Sequence, residues 1–180
     1  MVNALSKITA ALLAVLLLFL FPALQTAQRQ EDIRYLAAYR TLVQFTDAVR
    51  NKGLVTPAMY EDFVRDMEQN GGGYEVELEH RHKIYHPEYG DPADPGTFLN
   101  DFSVVYDAFY TADILKVLFP SETGQEGEPY KLQEGDFFAV TALDHARSPL
   151  DIFSEFLYNG AGHEKSSLLT YGGMVLNEDY

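Results

Sequence analysis

The chain begins with an apolar run from Ile8 to Leu24 that contains no charged side chain. A helix rises about 1.5 Å per residue, so about 17 apolar residues are at the lower limit for crossing a hydrocarbon core about 30 Å thick. The pattern therefore predicts that residues 1–28 are a membrane anchor or a signal segment. Both remain open, because a short apolar run near the N-terminus is typical of each.

Two observations favour an uncleaved anchor. Signal peptidase prefers small residues near the bond that it cuts, but a cut after Ala27 would place Gln25 three positions before the bond. The stretch from Gln25 to Val49 contains no Gly or Pro and is rich in helix formers. One helix is therefore predicted to continue from the apolar run into a folded domain.

The basic residues around the run give an ambiguous topology. Lys7 precedes the run, whereas Arg29, Arg34 and Arg40 come after it, and this count alone opposes export of the C-terminal part. An N-terminal apolar run nevertheless commonly directs translocation of the domain attached to its C-terminal end. We therefore expect a single-pass protein of the cell membrane whose C-terminal domain is extracellular.

Further along the chain, helical and strand periodicities alternate. Tyr74 to Ile84 has the clearest strand pattern, with apolar residues and two histidines on one face and charged residues on the other. Thr56-Pro57 and Ser148-Pro149 are typical helix starts, the second leading to a helix that ends near Asn159. The other expected elements are a loop from Pro87 to Thr97, helix from Phe102 to Phe119 with a break near Thr111, and strands at Tyr130–Leu132, Phe137–Leu143 and Leu168–Leu176.

These elements predict one fold class and one domain. Residues 29–180 are expected to form a single acidic globular domain that begins with the helix continuing the anchor. The first helix carries an incomplete apolar stripe, formed by Ile33, Leu36, Ala37, Tyr39, Leu42, Val43 and Val49. We predict an α+β fold, in which this long helix packs on a small antiparallel or mixed sheet with additional helices. Gly172-Gly173 is expected to bulge or bend the last strand.

Composition excludes some classes of function. The net charge of −14 repels the phosphates of nucleic acids, so no nucleic-acid partner is expected. The chain has no cysteine, which excludes disulfides and thiolate metal sites. Its 12 Tyr and 12 Phe argue against a disordered stalk.

The candidates for chemistry are few. His80 and His82 project from one face of a strand, a spacing that can bind a metal through two imidazoles, and His86 is near in sequence. The alternative is that both histidines are bonded to neighbours within the sheet. Gly160 to Ser166 resembles a phosphate-binding loop, but it comes after a helix rather than a strand, so a surface loop is the better interpretation.

Three acidic residues, Asp91, Asp94 and Asp101, are weak candidates for a calcium loop. Their spacing does not match that of an EF-hand, and a proline-stiffened surface loop explains them better. No motif of a catalytic site is present, so we expect a non-enzymatic protein without a cofactor.

The combined pattern resembles a pilin-like or pseudopilin subunit, of the kind found in type IV and Tad pili and in type II secretion systems. An apolar N-terminal helix continues into an amphipathic one, and a small acidic α+β domain comes after it. Four stretches also resemble uncharacterised small pilus-associated proteins of Firmicutes: Val49–Tyr60, Tyr74–His82, Glu134–Val140 and Tyr171–Glu178. The resemblance implies that N-terminal helices of several subunits pack together, with Ala10, Ala11 and Ala14 allowing close approach.

The chain departs from the family at its N-terminus. Prepilins have a Gly or Ala cleavage site before the apolar run and a Glu at the fifth mature position. Ala4-Leu5 is the one plausible site here, and Thr9 takes the fifth position after it. We expect a minor or accessory subunit of a pilus or secretion assembly. The alternatives are an exported ligand- or ion-binding domain and an extracellular hydrolase.

Overall fold

The computed structural model describes residues 2–70, 73–91, 93–120, 127–145 and 167–180. The fold is α+β, as predicted from the sequence. Its elements in chain order are α1 (Val2–Lys52), β1 (Leu54–Val55), α2 (Pro57–Gln69), β2 (Tyr74–Tyr89), a 3-10 turn (Pro95–Thr97), β3 (Phe98–Tyr110), α3 (Thr111–Leu118), β4 (Tyr130–Lys131), β5 (Phe137–Asp144) and β6 (Ser167–Met174).

Helix α1 is continuous over 51 residues and contains Pro22. Its section from Ala4 onward is long and apolar enough to cross a membrane, and the apolar window has no side chain buried in the protein. The first fully buried side chain on α1 is that of Ala38. The helix therefore has an exposed apolar half and a half that belongs to the core.

The buried stripe of α1 differs from the predicted one. Leu42 and Val49 are buried as expected, but Ile33 and Leu36 are 66% and 63% exposed. The stripe that contacts the sheet is Ala38, Leu42, Phe45, Thr46 and Val49. Periodicity alone could not identify it, because apolar residues occur on both faces of this part of the helix.

The main sheet has four antiparallel strands in the order β3-β2-β5-β6. One face of the sheet packs on the second half of α1, with α2 and α3 closing the core. A separate two-stranded sheet pairs β1 with β4. Helix α2 begins as predicted, because the Thr56 side chain accepts the N–H of Met59 and Pro57 occupies the first turn. The largest fully buried side chains include Phe138, Met67, Leu78, Ile114 and Leu118.

Two polar contacts fix the direction of α1 along the sheet. The Arg34 guanidinium lies 2.6 Å from a carboxylate oxygen of Asp144, and Arg50 Nε donates to the Met174 carbonyl at 3.0 Å. Asp144 pairs with Tyr74 at the start of β2, and Met174 pairs with Phe137, the residue opposite Arg81. Strand β2 therefore runs in the same direction as α1, away from the apolar run.

The prediction of helix from Phe102 to Phe119 is wrong in its first half. Strand β3 covers Phe98–Tyr110, and helix begins at Thr111, the predicted break. Strand β2 also extends to Tyr89 instead of ending at Ile84, so the predicted loop from Pro87 to Thr97 is shorter. Strand β3 has apolar residues on both faces, so its sequence does not alternate between apolar and polar positions. Periodicity alone cannot distinguish such a run from a helix.

The remaining strand predictions hold in outline. The alternation from Tyr74 to Ile84 and the strand from Phe137 agree with β2 and β5. Gly172 and Gly173 pair in regular register with Ala139 and Phe138, so the expected bulge is absent from this described strand. The predicted helix from Ser148 to Asn159 and the segment from Gly160 to Ser166 lie outside the described residues.

Candidate metal centre

The buried polar cluster of the domain joins β2 to the turn before β5. Pairing of Arg81 with Phe137 places Asp136 beside the two histidines of β2. His80 Nε2 lies 2.9 Å from Asp136 Oδ2, and His82 Nδ1 lies 2.9 Å from Asp136 Oδ1. His80 is 4% exposed and Asp136 is 1% exposed, whereas His82 is partly accessible.

Backbone N–H groups hold the carboxylate of Asp136 from both sides. Lys83 N–H donates to Oδ1 at 2.9 Å, and Gln133 N–H donates to Oδ2 at 2.8 Å. Burial by itself would raise the pKa of Asp136, but these two bonds and those from His80 and His82 together lower it. The carboxylate is therefore ionised at neutral pH, and its orientation is fixed before any ligand arrives.

The opposite side of the His80 ring contacts Tyr130. Tyr130 Oη lies 2.7 Å from His80 Nδ1. Burial lowers the pKa of His80, against the opposing effect of Asp136, and burial with the nearby carboxylates raises the pKa of Tyr130 to about 12. At neutral pH, His80 is thus neutral, with Nε2–H donating to Asp136 and Nδ1 accepting the Tyr130 hydroxyl.

The cluster also has the chemistry of a divalent metal site. One ligand atom from each of His80, His82 and Asp136 lies within 4.8 Å of the others. Bonds of about 2.0–2.2 Å from a tetrahedral zinc would separate ligand atoms by roughly 3.4 Å, so the two 2.9 Å separations between the histidines and Asp136 would have to widen by about half an ångström. The two imidazole protons would leave, and the bond between His80 Nδ1 and Tyr130 would orient the ring, as outer partners do in metal sites.

The structure brings together only part of what the sequence suggested. His80 and His82 share a site, but His86 pairs with Ser103 farther along the strand and is outside the cluster. The third ligand is Asp136, which lies between the predicted strands Tyr130–Leu132 and Phe137–Leu143. Nothing local indicates its role, because the contact depends on pairing between segments more than 50 residues apart in sequence.

The proposed calcium-loop residues are not part of this cluster. Asp91 Oδ1 accepts the N–H of Ala93, and Asp94 Oδ1 accepts that of Gly96. Asp101 Oδ1 accepts the N–H of Phe102. The bonds of Asp91 and Asp94 are typical of surface turns, in agreement with the surface-loop interpretation, whereas Asp101 lies within strand β3.

Comparisons with known proteins add no relative. No protein-family model, curated protein or solved structure matches the chain. The pilin-like resemblance stays a prediction.

Proposed function

We propose that this chain is a single-pass membrane protein of pilin-like architecture, which acts as a minor or accessory subunit of a pilus or secretion assembly. Its domain lies on the extracellular side. The observation that carries the proposal is α1, in which an exposed apolar half continues without interruption into a half buried in the domain core. A rigid connection of this kind suits a subunit whose anchor and domain are positioned together.

A second feature of α1 supports assembly with other subunits. The exposed apolar surface does not end with the run at Leu24, because Ile33 and Leu36 remain uncovered one helical turn apart. Both lie beyond the predicted anchor, in the part of the chain expected to face water. Burial of such side chains against a neighbouring helix would contribute about 1.5–3 kcal/mol each.

The test replaces both side chains with charged ones, as Ile33→Glu with Leu36→Glu. The wild-type chain, extracted from its native membrane in mild detergent, is expected to migrate in native electrophoresis as a complex well above the mass of one subunit. The double variant should migrate as a monomer, because the charges oppose burial of this helix face. It should still sediment with the membrane, since the apolar run is unchanged.

A double variant, Gln28→Glu with Gln30→Glu, adds the same charge at exposed polar positions of α1 and should assemble normally. Monomeric wild-type protein would refute the assembly. An intact mass showing cleavage near Ala27 would refute the anchor. Digestion of the domain by protease added to whole cells tests its extracellular position.

A second candidate function is divalent metal binding by the domain. It is favoured by the buried ligand set of His80, His82 and Asp136, whose carboxylate is already oriented by two backbone N–H groups. His82 is the accessible side of this set, so an ion and its remaining water ligand would enter there.

The purified full-length chain in detergent, incubated with zinc and freed of excess metal, is expected to retain one ion per chain by elemental analysis. His82→Gln should abolish most of this uptake, because it removes a ligand without emptying the buried part of the site. His86→Gln is the matched control, on the same face of the same strand but outside the cluster, and should bind as the wild type does. Equal uptake by the His82 variant, or none by the wild type, would exclude this function.

A further inference from the structure

Strands β2 and β3 extend as a two-stranded arm beyond the rest of the sheet. Strand β5 pairs with β2 from Tyr74 to Arg81, whereas β3 pairs with β2 from Glu79 to Tyr89. We define the arm as residues 82–89 and 98–107. Within the described part of the chain, residues 82–89 therefore pair with β3 alone, and the arm projects from the sheet by about 26 Å at 3.3 Å per residue.

The arm points away from the membrane expected at the N-terminal half of α1. Arg81 lies near the level of Arg50, close to the end of α1, and β2 continues in the direction of α1 from there. The lipid that holds this anchor is therefore beyond the reach of the arm. The molecules that the arm can contact are therefore those that lie beside the domain or on its side away from the membrane.

One face of the arm and of the adjoining end of β3 is apolar and exposed. This aromatic face is on the side of the sheet opposite α1, because its residues share the face of Glu79 and Arg81 rather than that of buried Leu78 and His80. Tyr85 and Tyr110 are each 58% exposed. The aromatic face consists of Tyr85, Phe102, Val104, Tyr106 and Tyr110.

Charge is divided between the two strands of this face. Strand β2 contributes Glu79, Arg81 and Lys83. The positions opposite them on β3 are Tyr110, Ala108 and Tyr106, none of which is charged. On a copy rotated by 180°, the Lys83 ammonium would meet the Tyr106 ring as a cation–π pair and the Glu79 carboxylate would meet the Tyr110 hydroxyl, so this face can complement itself.

We propose that the aromatic face binds a second copy of this chain anchored in the same membrane. Two copies in one membrane share their orientation, so a two-fold axis relating them runs along the membrane normal and along the strands. Rotation about that axis places β2 of one copy against β3 of the other at the same height. Lys83 then faces Tyr106 of the second copy, and Tyr85 faces its Val104.

The area of the aromatic face is small, so pairing of two copies depends on their confinement in one membrane. A Phe or Tyr side chain buries about 150–250 Å², so four half-exposed aromatic rings offer roughly 400 Å² per copy. The resulting total of about 800 Å² is below the 1,200–2,000 Å² of stable interfaces between free proteins. Confinement of both anchors raises the effective concentration and makes a small face sufficient. The inference therefore rests on the proposed membrane anchoring.

The absence of cysteine in the chain allows a direct test by cross-linking of introduced thiols. Two differently tagged full-length chains, one with Tyr85→Cys and one with Val104→Cys, are co-expressed and treated in membranes with a bismaleimide that spans about 10 Å, the separation of sheets packed face to face. A cross-link between the two tags is expected, since the proposed axis places these positions opposite each other. Adding Tyr106→Lys to both chains should remove most of it, because a second ammonium would then face Lys83, while leaving both in the membrane fraction.

The matched control is His86→Cys with Ser103→Cys, a directly paired couple of the same strands on the opposite face. It should give several-fold less cross-linking between tags. Equal yields from both couples, or no cross-link from Tyr85→Cys with Val104→Cys, would overturn the interface. A higher yield between two Val104→Cys chains would indicate pairing of β3 edges and would also overturn it. Loss of the chains from the membrane fraction would instead refute the proposed anchoring.

Discussion

Replacing Asp136 with Asn is expected to lower the free energy of unfolding by about 3–5 kcal/mol, because a buried donor that loses its acceptor costs about 1–3 kcal/mol. The carboxylate accepts N–H groups from four donors, namely Lys83, Gln133, His80 and His82. An Asn side chain has one acceptor oxygen, and its NH₂ group would face donors. Asp136→Asn therefore leaves at least one backbone N–H and one imidazole without a partner.

The measurement is thermal unfolding of the full-length chain in detergent, followed by the near-ultraviolet circular dichroism of its tyrosines. For a chain of this size, the expected loss corresponds to a fall of about 10 °C in Tm. Asp62→Asn makes the same chemical change at an exposed ion pair with Arg65 and should shift Tm little. A Tm for Asp136→Asn close to that of the Asp62 control would contradict the central role of this carboxylate.

Gly53→Ala is expected to destabilise the chain by about 3 kcal/mol, of which roughly 1–2 kcal/mol comes from the left-handed backbone alone. Gly53 ends α1 with φ of 69° and donates its N–H to the Val49 carbonyl. A Cβ there would overlap the backbone oxygen of Asn177. The C-terminal tail must then move, which strains the bonds that Leu176 and Asp179 donate to the last carbonyls of α1.

Gly135→Ala separates these two causes. Gly135 also has a left-handed backbone, with φ of 91°, but an added Cβ would meet no atom within 4 Å. Gly135→Ala should therefore carry only the free-energy cost of a left-handed alanine, without displacement of the C-terminal tail. Its Tm should fall less than that of Gly53→Ala. Limited proteolysis of the last residues should be faster in Gly53→Ala and unchanged in Gly135→Ala. Equal Tm values for the two variants would show that tail packing contributes nothing.

Sequence patterns predict the elements whose environment is local. The alternation in β2 and the Thr56-Pro57 start of α2 are properties of neighbouring residues, and both are confirmed. The prediction of helix fails in β3 because this strand is apolar on both faces, and among the described residues no sheet or helix covers either face of the arm. Hydrophobic periodicity identifies a strand only where one face is apolar and the other is polar, and β3 lacks that difference.

The candidate site likewise has a local part, which the sequence predicts, and a part that depends on residues distant in sequence. His80 and His82 can be placed on one face from their spacing, because strand geometry fixes positions two residues apart. Asp136 reaches them through antiparallel pairing of β2 with β5 and the turn that precedes it, and Tyr130 reaches them from β4, which pairs with β1. The register of that pairing depends on the whole sheet, which no single segment encodes.

The uninterrupted α1 also couples rotation to position. Because the helix turns about 100° per residue, the number of residues between the apolar run and Ala38 determines the angle of the domain about the helix axis relative to the apolar run. A flexible linker in place of this helix would leave the orientation of the domain relative to the apolar run unrestricted. Here the angular phase is set within one helix, so the chain encodes the direction of its arm relative to the apolar run as well as its distance from that run.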